Sequence, residues 1–259
     1  MAFGNSIRVE EYDQAIVLPN SFKSALIPFF AKIPLRTGWR GEMRYALIND
    51  IRILDKSMYP RMVDRFVALA LEGSDELPSN IPFPSLNVHK ENLDSLIEKF
   101  KIDPNLPLIC LCPGAEFGPA KRWPTNYYAE VASEYLKKNW QVILLGSPND
   151  LSIGDEIALQ IKEQSGFLNL IGETKLKDAV DILSSSSLVL TNDSGLMHIA
   201  ASVDVPLVAL YGPTSPEFTP PLSNKFKVIK RNEGFSKLRT GDLEAVSYTH
   251  LTLPTNREV

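Results

Sequence analysis

Between Pro107 and Arg231 short apolar, branched runs alternate with stretches of helical periodicity. Leu108–Cys112 reads as a buried strand. After a loop, Pro124 opens a helix, where proline's missing N–H costs nothing, and Tyr128, Val131, Ala132, Tyr135 and Leu136 fall on one stripe. Gln141–Leu145 is the next strand, closed by Gly146, and a more polar helix runs over 151–165. Leu168–Ile171 is a third strand. Thr174 then caps a helix whose apolar face is Leu176, Ala179, Val180 and Leu183. Leu188–Thr191 is a fourth strand, followed by a tight polar turn and a helix through Met197, Ile199 and Ala200. Leu207–Tyr211 is a fifth, and 225–230 suits an edge strand. Strands that are continuously apolar belong to a parallel sheet covered on both faces. Right-handed crossovers then give an open, doubly wound α/β domain. Such sheets take ligands beyond the carboxyl ends of their strands, which singles out the loops 113–123, 146–150, 191–195 and 211–221.

The first hundred residues are less regular. Ala15–Leu18 is a short strand, and Ser21 can cap a helix over 22–32 that Pro28 disturbs. Met62, Phe66, Leu69 and Ala70 mark another helix. The proline-rich stretch 73–88 is a loop, and Leu93, Leu96, Ile97 and Phe100 line an amphipathic helix leading to Pro104. The expected organisation is 1–102, 103–245 and a tail over 246–259.

With 259 residues, 44% apolar and 22% charged, the chain has the make-up of an ordinary globular protein, not of a disordered or collagenous one. Its net charge of −4 gives no bulk attraction to nucleic acid, so any basic site must be local. The longest uncharged apolar run, Leu106 to Ala115, is far short of the roughly 20 residues that span a bilayer. The first residues contain no apolar export signal. Cys110 and Cys112 alone make no disulfide framework, which fits a reducing cytoplasm.

Three loops carry candidate chemistry. In Pro113-Gly114-Ala115-Glu116-Phe117-Gly118-Pro119-Ala120-Lys121-Arg122-Trp123-Pro124, two glycines allow close backbone approach and Lys121-Arg122 precede a helix start. That suits an anion, although a solvated surface loop has the same look. The segment is neither a Walker loop nor a dinucleotide fingerprint. Asn192-Asp193-Ser194-Gly195-Leu196-Met197-His198 follows the fourth strand. Helix capping alone accounts for Asp193 and Ser194, and a lone histidine is commonly a core residue. Yet Ser194 and His198, four apart, share a helical face and would form a polar wall for a ribose, sugar or diphosphate. Tyr211–Glu217 is either a stiff turn or a lining of the same site. Residues 20–54 hold six basic residues against two acids: either an ordinary solvated face or a receiver for a phosphorylated acceptor. The three histidines lie far apart, there is no Asp-x-Asp clamp, and Cys-x-Cys puts both thiols on one strand face rather than in a zinc knuckle. No metal site is expected.

These blocks, with Leu18-Pro19-Asn20-Ser21-Phe22-Lys23-Ser24-Ala25 and Arg36-Thr37-Gly38-Trp39-Arg40-Gly41-Glu42-Met43-Arg44-Tyr45, resemble the bacterial ADP-heptose:lipopolysaccharide heptosyltransferases from about residue 8 to about 243. The resemblance implies a GT-B fold of two Rossmann-like, parallel-sheet domains, with the acceptor on the first and ADP-heptose on the second. It implies an inverting, metal-independent transfer of heptose to the first heptose of a lipid A–Kdo–heptose acceptor, without a cofactor, in the cytoplasm and peripheral to the inner membrane. By motif it assigns Lys121 to the donor diphosphate. Gly114, Arg122, Asn192, Asp193, Ser194, Gly195 and His198 fall to substrate binding, and Lys23, Arg40 and Arg44 to the acceptor side. The family's opening strand and Gly-Asp loop, whose aspartate serves as general base, have no counterpart here: Gly-Asp stands only at Gly154-Asp155 and Gly241-Asp242. The first domain is therefore expected to be incomplete, and the tail Val246–Val259 to be non-native. A fragment that only binds ADP or ADP-heptose is the competing expectation, as is a different heptosyltransferase of the same family.

Overall fold

A computed structural model describes residues 2–72, 76–116 and 118–230. The expectations for Gly241-Asp242 and the 246–259 tail lie outside these residues. The chain divides into two compact units, Met1–Pro82 with Glu217–Pro220, and Phe83–Pro216 with the remainder.

The first unit runs through α1 (Ala2–Ile7), β1 (Gln14–Val17), α2 (Phe22–Phe30), β2 (Leu35–Trp39), β3 (Asp50–Arg52) and α3 (Met62–Ala70). The three strands form a parallel sheet in the order β1-β2-β3. Ser21 caps α2 as expected, its hydroxyl accepting from the Ser24 N–H at 3.3 Å. The helix stops at Phe30, two residues past Pro28. Neither β2 nor β3 carries the apolar signature of a buried strand. Their polar residues are held by specific bonds instead: Thr37 donates to Asp50 at 2.8 Å, and Arg52 donates to Asp50 and to the Ala68 carbonyl. The apolar clusters are small, Val17, Ala25, Leu47 and Ile48 in one, Trp39, Ala68 and Leu69 in the other.

The second unit opens with α4 (Lys90–Phe100). It continues through β4 (Leu108–Cys112), a 3-10 turn (Pro119–Lys121), α5 (Thr125–Lys137), β5 (Gln141–Leu144), α6 (Leu151–Gln160), β6 (Phe167–Asn169) and α7 (Leu176–Ser184). It closes with β7 (Leu188–Asn192), α8 (Gly195–Ser202), β8 (Leu207–Tyr211) and β9 (Phe226–Lys230). All six strands are parallel, in the order β6-β5-β4-β7-β8-β9. The chain therefore starts in the middle, winds outward through β5 and β6, then returns to the other side of β4 for β7, β8 and β9. The order reverses between β4 and β7, and the crevice beyond the carboxyl ends at such a reversal is where doubly wound sheets bind ligands.

Side-chain alternation explains why β4 is apolar throughout. Ile109 and Leu111 enter the core that contains Tyr128, Val142 and Leu190. Leu108, Cys110 and Cys112 enter the opposite one, with Leu96, Ile182, Val189 and Met197. A strand covered on both faces has no polar position to offer. The two thiols share a face, as the spacing predicts. Burial pushes the Cys110 thiol up to about 12, against a lowering by its bond from Ser186.

Two local expectations change. The cap of α7 is not Thr174: the helix starts at Leu176, and Asp178 reaches back to accept from the Lys175 N–H at 3.0 Å. The division between units falls between Pro82 and Phe83, ahead of the expected 102/103. Helix α4 buries Leu96 against the second sheet. The fully buried Asp181 of α7 accepts from the His89 N–H at 2.9 Å and from Asn92 at 2.7 Å, which fixes the start of α4 to the second unit.

Candidate functional site

The loops after β4 and β7 meet at the reversal of strand order. Asn192, the last residue of β7, is fully buried and builds their junction. Its Oδ1 accepts from the Trp123 N–H and from the Tyr128 hydroxyl, both at 3.1 Å. Its Nδ2 donates to the Pro113 carbonyl at 2.7 Å. One amide therefore fixes the start of the β4 loop, its end, and the first turn of α5. All of its strong hydrogen-bonding positions point into protein, so Asn192, expected to touch substrate, acts from behind the site.

Held by this junction, Lys121 extends toward the next residue of the β7 loop. Its Nζ donates to Asp193 Oδ2 at 2.8 Å, and the two side chains are 19% and 8% exposed. Asp193 is itself fixed by its backbone N–H, which donates to the Leu210 carbonyl of β8 at 3.0 Å. An ammonium carries three donors, one of which goes to Asp193.

Helix α8 begins immediately afterwards. Ser194 has the extended backbone of an N-cap, φ −146° and ψ 175°, but its side chain makes no capping bond. Its hydroxyl lies 3.4 Å from Thr191 Oγ1. Among the described residues a Cβ placed on Gly195 would meet no atom within 4 Å, so they leave space beside the first residue of the helix. The first-turn N–H groups of a helix are orphan donors at the positive end of its dipole. Beside an ammonium they favour an anion.

His198, one turn on, keeps an exposed face. Its pKa lies below the ordinary histidine range: desolvation by surrounding protein is the main cause, Asp193 opposes it, and Lys121 adds to it. The core-histidine alternative does not hold, because the residue keeps exposed surface and is electrostatically tied to both members of the ion pair. Lys121, Asp193, Ser194, Gly195 and His198 are thus assembled at one place.

Gly114 and Arg122 lie in the same loop but serve its shape. A Cβ on Gly114 would stand 2.5 Å from Asp150 Oδ2, so a glycine is required by close approach. Arg122 donates to the Ala115 carbonyl at 3.1 Å and lies 3.8 Å from Asp150. Asp150, which sequence reasoning passed over, is buried and accepts from both the N–H and the hydroxyl of Ser147, at 3.0 and 2.7 Å. The Ser-Pro-Asn-Asp spacing of a capping box was the available signal. Tyr128 was likewise visible only as a core residue, although its hydroxyl completes the Asn192 junction. Beyond β8, Thr214 Oγ1 is buried and has no hydrogen-bond partner among the described residues. Among the described residues no group of three or more His, Cys, Asp or Glu is placed to hold a metal.

The three basic residues assigned to the acceptor side lie in the first unit and behave differently from one another. Lys23 and Arg40 are exposed. Arg44 is buried and donates to the Pro19 carbonyl at 2.6 Å, the Trp39 carbonyl at 2.8 Å and Asn20 Oδ1 at 3.1 Å. Burial lowers its pKa, partly offset by Glu42. Arg44 braces the turn around it and does not present its charge outward.

Comparison with known proteins places this geometry in context. Residues 1–244 match the family described as glycosyltransferase family 9 (heptosyltransferase). The lipopolysaccharide heptosyltransferase 2 of Salmonella typhimurium is 52% identical over 246 residues, 92% of this chain and 71% of the relative. The lipooligosaccharide heptosyltransferase 2 of Haemophilus influenzae is 50% identical over 252 residues, 93% of this chain and 72% of the relative. The structure of the Escherichia coli ADP-heptose lipopolysaccharide heptosyltransferase II superposes with a TM-score of 0.85 at 49% identity, over 90% of this chain and 72% of that one.

Proposed function

The chain belongs to glycosyltransferase family 9, the heptosyltransferases, and from that membership and the meeting of Lys121 with Asp193 we propose that it moves heptose from ADP-heptose onto the first heptose of a lipopolysaccharide inner core. The observation that carries the reading is the ammonium of Lys121 held at the strand-order reversal, beside the open N-terminus of α8. In an inverting transfer the acceptor hydroxyl oxygen bonds to the anomeric carbon as the bond from that carbon to the diphosphate oxygen breaks, and the hydroxyl proton passes to solvent water. The electron pair leaves with ADP. Lys121 and the α8 amides stabilise the charge that develops on the diphosphate, while Asp193 keeps the lysine in place. Ser194, Gly195 and His198 line the same position.

The second unit thus takes the donor and the first faces the acceptor, where Lys23 and Arg40 offer exposed positive charge to its anionic groups. No described helix is long and apolar enough to cross a membrane. The proposed acceptor is nevertheless a lipid, so the protein works at the cytoplasmic face of the inner membrane in peripheral contact with it.

The test is transfer from ADP-heptose by the wild-type chain and by Lys121→Ala, with ADP binding by calorimetry alongside. Removing one preorganised donor to developing charge typically costs about 10²–10³ in kcat. Equal turnover by the two proteins would remove Lys121 from the mechanism. ADP binding without transfer by the wild type would reduce the proposal to a binding function.

A further inference from the structure

We propose that Phe218 is a positioning residue for the transfer: clamped on α3 of the first unit, it holds the loop after β8 at the heptose end of the donor position. The inference rests on the transferase reading above and names a residue through which the first unit acts on the donor. After Pro216 the chain leaves the second unit, spends Glu217–Pro220 in the first and returns at Pro221. Neighbouring parallel strands are usually joined by a helix. The parallel neighbours β8 and β9 are joined by this excursion instead.

The clamp is built on the Trp39 cluster. The Trp39 indole N–H donates to the Arg65 carbonyl at 3.2 Å, and Arg65 Nε donates to the Tyr59 carbonyl at 2.9 Å. These bonds fix the Arg65 guanidinium over the Phe218 ring, 4.4 Å from its centroid, inside the range of a cation–π contact. The Phe218 carbonyl accepts from the Met62 N–H at 2.9 Å. Met62 is the first residue of α3, so its N–H has no partner inside the helix. Phe218 is thus held by its ring and by its backbone at once.

At its other end the loop starts beside the donor position. The Asp193 N–H donates to the Leu210 carbonyl at 3.0 Å, and the Tyr211 hydroxyl donates to Met197 Sδ of α8 at 3.3 Å. Only residues 212–217 separate Tyr211 from Phe218. Among them Pro213 and Pro216 fix their own φ, and Ser215 is restricted by the proline after it. So short and stiff a segment passes the position of one end to the other. Thr214 shows that it is held: its Oγ1 is buried with no hydrogen-bond partner among the described residues. An unbonded buried hydroxyl is costly, and a loop free to relax would turn it to water. The sugar is the part of the donor that has to meet the acceptor, which the first unit faces. A loop tied to that unit therefore belongs at the sugar end, and not at the diphosphate, where Lys121 and α8 stand.

The test combines melting with kinetics on the full chain. Thr214→Val removes the unbonded hydroxyl and should raise the melting temperature by about 2–4 °C. In a Phe218→Ala background the loop relaxes, the hydroxyl reaches water, and that gain should vanish. A phenylalanine of merely local importance would lower the melting temperature and leave the gain intact. Phe218→Ala should also cut kcat for heptose transfer about tenfold or more, as misplacement of a reacting group does, while ADP affinity by calorimetry stays within about twofold. Phe218→Tyr keeps the ring under Arg65 and should restore kcat. Arg65→Met should lower kcat and the Thr214→Val gain in the same direction, and replaces Phe218→Ala if that variant does not fold. An undiminished Thr214→Val gain, an unchanged kcat, or a fall in ADP affinity as large as the fall in kcat each overturns the proposal. A wild type that binds ADP without transferring heptose overturns the transferase reading instead, and the melting cycle alone then decides whether Phe218 holds the loop.

Discussion

Asn192→Ala is the sharpest test of how the site is built. The substitution removes an acceptor shared by the Trp123 N–H and the Tyr128 hydroxyl and a donor to the Pro113 carbonyl, all around a fully buried side chain. The Tyr128 hydroxyl can turn to the Cys112 carbonyl, already 3.4 Å away, so it keeps a partner. The Pro113 carbonyl and the Trp123 N–H each lose a buried hydrogen bond, at about 1–3 kcal/mol apiece. The expected destabilisation is about 3 kcal/mol, or a melting temperature lower by about 6–12 °C for a unit of this size. Urea denaturation gives the free energy, and calorimetry with ADP gives the functional consequence. Because Asn192 acts by positioning the loop that carries Lys121, adding Asn192→Ala to Lys121→Ala should weaken ADP binding no further. Independent sites would instead add within about 0.5 kcal/mol. A loss of stability below about 1 kcal/mol, or full additivity in ADP affinity, would refute the reasoning.

The ion pair should be legible in the titration of His198. Desolvation and Lys121 lower its pKa and Asp193 raises it, so Lys121→Met should move it up and Asp193→Asn down, followed by NMR of the imidazole; shifts of the opposite sign would contradict the arrangement. For a histidine whose folded pKa is depressed, the unfolded chain takes up the proton first. Its contribution to stability is therefore lost as pH falls from the unfolded value of 6.5 through the folded one, and pH-dependent melting of wild type against His198→Asn isolates that slope. Gly114→Ala sets a Cβ against the Asp150 carboxylate, 2.5 Å away, and should cost about 1–3 kcal/mol as an overpacking substitution; urea denaturation indistinguishable from wild type would mean the β4 loop has slack that the structure does not show.

The second sheet was readable in the sequence because a strand buried on both faces has to be apolar at every position. Leu108–Cys112 and Leu207–Tyr211 stand where the pattern puts them. In the first sheet β2 and β3 were not readable, for the complementary reason. Leu35-Arg36-Thr37-Gly38-Trp39 is held by hydrogen bonds from Arg36 to the Leu47 carbonyl and from Thr37 to the Asp50 carboxylate. Such bonds follow no period. The boundary near 103 was misplaced by the same kind of interaction: α4 is fixed to the second unit by Asp181, nearly ninety residues from Asn92 in the chain, and no local pattern announces that contact.

The candidate site divides along a similar line. Spacing and topology were enough to nominate the loops after β4 and β7, since a parallel sheet whose strand order reverses must open a crevice between them. They could not tell a residue facing a ligand from one facing the protein. Asn192 and Asp193 are neighbours with side chains of nearly equal size, yet Asn192 spends its amide on Pro113, Trp123 and Tyr128 while Asp193 receives Lys121. The difference lies in the strand: Asn192 is its last residue and its side chain is committed to the interior, whereas Asp193 begins the turn. The same distinction separates Arg44 from Lys23 and Arg40. A count of basic residues treats the three alike, but a guanidinium surrounded by carbonyls has its five donors directed inward and contributes rigidity. The charge available to a ligand is therefore smaller than the sequence suggests, and what the buried arginine contributes is the fixed backbone on which the exposed residues stand.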